Sequence, residues 1–87
     1  MSVNHGVSDI EALVREEKRL TAVESHSEAW AETLSAGIEP EIVAEAALAT
    51  ALAESLRTAG ENATLVLIDK MRERILAGDF EPVRTRH

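Results

Sequence analysis

One stretch limits this chain more than any other: GIEPEIVAEAALATALAESLRTAG, running from Gly37 to Gly60. It is the most apolar and most helix-prone run, with a start signal at one end and a stop signal at the other. Gly37 suits the position just past a helix, where a left-handed backbone costs no Cβ clash. Pro40 then fits the first turn of a new helix, because the N–H it lacks would have no intrahelical partner there. Glu39, Glu41 and Glu45 place negative charge near that N-terminus and complement the helix dipole. Arg57 sits in the last turn and Gly60 stops it. The stretch predicts a helix over 40–58.

Ile42, Ala46, Ala49, Ala53 and Leu56 alternate by four and three residues and make one continuous stripe along it. Leu48 and Leu52 widen the stripe on one flank, Val43 and Ala47 on the other. Alanine dominates the seam, so a neighbouring helix could approach closely. Alanine is also simply the best helix former. On this reading only the side carrying Glu41, Glu45, Glu54 and Ser55 faces water.

With 87 residues the chain makes one domain. A chain this short buries only a little over ~60% of its unfolded surface, so a monomer is marginal. It has no cysteine, which excludes a disulfide framework and a thiolate zinc site. No apolar run approaches the ~18–20 residues that span a bilayer, so no membrane partner is expected. Met1 to Val7 lacks the basic and apolar regions of a signal peptide. The expected location is cytoplasmic.

Charge is uneven. Between Arg19 and Arg57 there is no Lys or Arg, while Glu24, Glu28, Glu32, Glu39, Glu41, Glu45 and Glu54 fall in that span. The basic residues Arg57, Lys70, Arg72, Arg74, Arg84 and Arg86 follow it. An acidic middle argues against binding a phosphate backbone, whose affinity comes mainly from Lys and Arg. It reads as a solvated face, or as a surface that draws a basic protein partner, with Glu24, Glu28, Glu32, Glu41 and Glu45 as the candidate acidic surface.

Ahead of the central helix, residues 1–7 read as a disordered leader. Ser8 with Glu11 makes a capping box and marks a helix start. Neither Pro nor Gly occurs from there to Ala36. Leu13, Leu20, Val23, Trp30 and Leu34 fall on heptad-related positions, with Glu16 and Ser27 interrupting the seam. These five are the candidate interface. A helix over 9–36, roughly 28 residues, is about 42 Å long. The alternative is a break near Ser25-His26-Ser27, where Ser25 with Glu28 makes a second capping box. The continuous helix is favoured.

Beyond Gly60, Asn62 is a plausible cap for a third helix over 62–77, which carries Leu65, Ile68, Met71 and Ile75 on one stripe. Gly78 ends it, Phe80 can fold back onto the last turn, and 81–87 reads as a flexible tail. The short connections predict antiparallel neighbours, hence an all-α, three-helix up-down arrangement over 8–80: a long first helix plus a helical hairpin. Three helices of this size make a small core. A homodimer closing a larger bundle is the natural remedy.

The segments HSEAWAETLSAGIEPEIVAEAALATALAESL (26–56) and RERILAGDF (72–80) resemble a group of small all-helical bacterial proteins of uncharacterised function. The resemblance implies a helical fold and no catalytic residue.

The chemistry-bearing motifs are few. Gly6, Gly37, Gly60 and Gly78 are isolated and form no phosphate-binding loop. The serines lack a nucleophile-elbow context. Glu24, Glu28 and Glu32 stack at four-residue spacing, but His26 lies about 200° round the helix from Glu24, and the Glu-x-x-His pairing of a di-iron bundle occurs nowhere. No catalytic, metal or cofactor residue is assigned. Trp30 is either ordinary core or an interface anchor, a role in which tryptophan is enriched. Arg84 and Arg86 in the tail are a weak basis for nucleic-acid binding. The expected function is a non-enzymatic helical protein–protein interaction module, a small regulator or adaptor. The alternatives are an acidic inhibitor that mimics nucleic acid on a basic surface and, behind it, a carboxylate metal-binding bundle.

Overall fold

The computed structural model describes the backbone of residues 5–82 and the side chains from residue 9 onward. Residues 1–4 of the expected 1–7 leader and 83–87 of the expected 81–87 tail lie outside the described residues. Three helices follow one another: α1 (His5–Ser35), α2 (Pro40–Ala59) and α3 (Glu61–Leu76), with no strand among the described residues. The chain divides into two compact units, Met1–Ala44 and Glu45–His87, with the boundary inside α2.

In the first unit α1 runs unbroken for 31 residues, about 46 Å at 1.5 Å per residue. It is already helical at His5, so the Ser8–Glu11 box lies inside the helix and residues 5–7 belong to α1 rather than to a leader. Gly6 is no barrier, since an interior glycine costs only about 1 kcal/mol against alanine. No break occurs at Ser25-His26-Ser27. Polar side chains in that half fold back onto the preceding turn instead of capping a new one: His26 Nδ1 lies 2.7 Å from the Ala22 carbonyl, and Thr33 Oγ1 donates to the Ala29 carbonyl at 2.7 Å. The helix ends where Ala36 donates to the Glu32 carbonyl at 3.1 Å and Gly37, at φ 90°, donates to that of Leu34 at 2.9 Å.

Pro40 opens α2 as expected, with the Glu39 carbonyl accepting from the N–H groups of Ile42 and Val43 at 3.0 and 3.1 Å. Val43, 7% exposed, is the one buried apolar side chain among the described residues, whereas Ile42 is exposed. The anticipated stripe is therefore not the covered one. Leu48 and Leu56 also stand in water, so α2 is exposed well beyond its glutamate side.

In the second unit Gly60 alone joins α2 to α3. Its φ 94° and ψ 174° lie in an extended region open essentially only to glycine. Its N–H reaches the carbonyls of Ser55 and Leu56, each at 3.2 Å. Its own carbonyl accepts both the N–H (3.1 Å) and the hydroxyl (2.8 Å) of Thr64. Gly60 thus caps α3, and Asn62, the expected cap, falls inside the first turn. Because the Thr64 hydroxyl spends its hydrogen on Gly60, its oxygen is left to accept from Ser55 Oγ, 2.7 Å away.

Thr64, only 3% exposed, is the most buried polar residue described. Half-covered positions follow it on α3 at Met71 and Arg74; of the predicted Leu65–Ile68–Met71–Ile75 stripe only Met71 is among them, and Leu65 and Ile75 stand in water. The corner turns Thr64, one residue ahead of Leu65, towards α2, and one residue is about 100° of helix rotation. At the other end Asp79 donates to the Arg74 carbonyl at 3.0 Å and Gly78 to that of Ile75 at 3.1 Å, the paired bonds of a Schellman ending. Phe80 folds back as expected: its ring centre lies 4.5 Å from the Arg74 guanidinium, which also meets the Asp79 carboxylate at 3.4 Å.

Candidate interaction surface

The unbroken course of α1 decides where the heptad-related residues go. Leu13, Leu20, Ser27 and Leu34 repeat every seven residues, and Glu16, Val23 and Trp30 repeat three residues out of phase with them. A straight helix drifts ~20° per heptad against a seven-residue repeat, so all seven positions share one side. Had the helix broken at Ser25, the lower and upper halves of the seam would have parted.

The five candidate interface residues are all exposed: Leu13 at 66%, and even Leu34, the least exposed of them, at 36%. Ile10 and Val14 extend the apolar surface towards the N-terminus. Two shallow hollows lie along the same side, one among Leu20, Thr21, Val23, Glu24 and Ser27, the other among Val23, His26, Ser27 and Trp30. They are open indentations of a helix surface, not cavities that enclose a small molecule.

Glu16 interrupts the seam and carries its own counter-ion. Its carboxylate accepts from Arg19 Nη2 at 2.6 Å and from Nε at 3.1 Å. Those bonds hold the Glu16 carboxyl below the ordinary glutamate range and push the Arg19 guanidinium higher still. Both side chains stand in water, so solvent and salt screen the pair.

The acidic candidates Glu24, Glu28 and Glu32 on α1, and Glu41 and Glu45 on α2, are exposed. The ion pairs among the described residues engage other acids, namely Glu16 with Arg19, Glu54 with Arg57 and Asp79 with Arg74. Among the described residues no group of three His, Cys, Asp or Glu is close enough to hold a metal ion. The ring of His26 turns to the Ala22 carbonyl.

Exposed apolar residues also stand on more than one side of α3: Leu65, Val66, Ile75 and Leu76 all face water. The signal was available in the run Leu65-Val66-Leu67-Ile68, since four consecutive apolar residues on a helix cannot share one side.

No family model, curated protein or solved structure matches this chain. The functional reading therefore rests on the surface itself. No described helix is long and apolar enough to cross a membrane.

Proposed function

We propose that the chain is a non-enzymatic helical interaction module of the cytoplasm, a small regulator or adaptor that works as a homodimer through the α1 seam. The observation that carries this reading is the row Leu13, Leu20, Val23, Trp30 and Leu34 left in water along one side of an unbroken helix. Covering five such half-exposed side chains stabilises by roughly 5 kcal/mol per copy, taking ~1.5–3 kcal/mol for each complete burial. That is as large as the whole stability of a small domain. A second copy would supply the core that one chain lacks, with the helices of each copy in an up-down order.

Sedimentation velocity across the micromolar range tests it. The expected result is a dimer that Leu20→Asp converts to monomer; a fully helical wild-type monomer throughout that range removes the proposal.

One observation favours a second reading. Glu24, Glu28, Glu32, Glu41 and Glu45 are exposed and unpaired among the described residues, which suits a partner with a basic surface. Such binding should weaken steeply with salt. Binding to a basic protein that ignored salt would eliminate it.

A further inference from the structure

If two α1 seams meet, as the dimer reading holds, their polar interruptions select how they align. We infer that the two copies of α1 pair antiparallel about a two-fold axis passing between Thr21 and Ala22, so that Glu16 of each copy faces Ser27 of the other.

In an antiparallel pair, each residue of one seam row meets a residue of the other row on the opposite helix, as knobs into holes. Alignments that keep this rule differ by seven residues. In the one centred between Thr21 and Ala22, Leu13 meets Trp30, Leu20 meets Val23 and the two polar positions meet each other, while Leu34 meets Asp9 at the outer end of the pair. Shifting by one heptad sets Glu16, in the middle of the seam, against Leu20 in one direction and against Leu34 in the other, and leaves one apolar pairing where the central alignment has two. A parallel pair faces Glu16 with its own twin and Trp30 with its own twin.

The chemistry at the matched position is sound. The Glu16 carboxylate already holds Arg19 and has acceptor capacity left for the hydroxyl of Ser27 from the second copy. No uncompensated charge then enters the seam. The area suffices as well: five half-exposed apolar side chains per copy, at about 100 Å² each, give on the order of 1,000 Å² for the pair, the lower bound of a specific interface.

The flanking charges pull the other way. The antiparallel alignment brings Glu17 near Glu24 of the second copy, while a parallel one brings Arg19 near Glu24. Flanking groups stay in water, where such pairs are screened and weak. Two facing seam carboxylates are removed from water, so the seam outweighs the flanks.

The absence of cysteine from the chain makes the test direct. Glu16→Cys and Ser27→Cys are prepared separately, mixed, and oxidised gently, with sedimentation run on each variant. The expected outcome is a disulfide dimer containing one chain of each kind, with little cross-linking of Ser27→Cys alone. Glu24→Lys in the otherwise native chain should tighten the dimer roughly three- to tenfold by facing Glu17. Self-cross-linking of Ser27→Cys, which keeps Glu16, as readily as the mixture cross-links, or a weaker dimer with Glu24→Lys, would establish the parallel arrangement and overturn the inference. A dimer that cross-links in neither way assigns the contact to another register or face and overturns it equally. A wild-type monomer in sedimentation refutes the dimer reading itself, before orientation arises.

Discussion

The corner at Gly60 offers the sharpest energetic test, because one hydroxyl carries two bonds there. Thr64→Val keeps the shape of the side chain and deletes the oxygen. The variant loses the bond to the Gly60 carbonyl (2.8 Å) and the bond from Ser55 (2.7 Å). Each contributes a net ~0.5–1.5 kcal/mol. The new methyl group, at a site 3% exposed, returns roughly 0.8 kcal/mol. Gly60 keeps the Thr64 N–H, so its carbonyl is not stripped bare. The expected loss is therefore about 1 kcal/mol, or ~4–8 °C in Tm for a domain of this size.

Ser55→Ala alone removes one bond and should cost about 0.5–1 kcal/mol. The double variant Ser55→Ala/Thr64→Val should cost less than the sum of the two, with a coupling of about 0.5–1 kcal/mol, since both lose the same bond. Urea unfolding followed by far-ultraviolet circular dichroism measures all four proteins. Protein concentration is held fixed, because dimer formation would add to the apparent stability. Strict additivity within ~0.3 kcal/mol would show that Ser55 and Thr64 do not share a hydrogen bond, and the account of the corner would fall.

Four further outcomes follow from the same structure. Gly60→Ala places a side chain at φ 94° and ψ 174° and should cost about 1–3 kcal/mol from backbone strain alone, because a Cβ there meets nothing within 4 Å; thermal unfolding reads it. Ser25→Ala should raise the stability of α1 by about 0.5 kcal/mol if Ser25 is a helix-interior residue, whereas loss of a true N-cap would lower it by ~1 kcal/mol. In an NMR titration the Glu16 carboxyl should titrate below the ordinary glutamate range, and Arg19→Gln should bring it back. A carboxyl lowered in this way contributes its stabilisation at neutral pH and loses it as pH falls through the lowered value, so the advantage of wild-type α1 over Arg19→Gln should be present at neutral pH and vanish in acid. Phe80→Ala should loosen the last turn of α3 by about 0.5–1 kcal/mol through loss of the Arg74 stack, visible as faster amide exchange at Gly78 and Asp79.

The helices were legible in the sequence because their punctuation is local. Pro40, Gly37, Gly60 and Gly78 each act through their own backbone, and all four sit where the structure turns or starts a helix. What escaped was set by competition between signals of similar strength. Ser8 and Asn62 are good caps in isolation. The first is overridden because nothing in His5-Gly6-Val7 resists helix, and the second because the Gly60 carbonyl takes both polar groups of Thr64. The covered faces of α2 and α3 escaped for a different reason. Apolar periodicity marks which side could be buried, but here a polar pair, Ser55 with Thr64, fixes which side is turned inward. The unbroken course of α1 was legible, and with it the placement of Leu13 to Leu34 along one side, because no Pro or Gly interrupts 8–36.

Trp30 has a practical consequence beyond its place in that seam. It is the sole indole in the chain, there is no tyrosine, and it is 38% exposed. The molecule therefore carries an optical gauge at the surface in question: any companion that shelters the ring should shift its emission towards the blue. Dilution, salt or a candidate binder can each be followed in the unlabelled protein, with the reporting group already on the exposed side of α1.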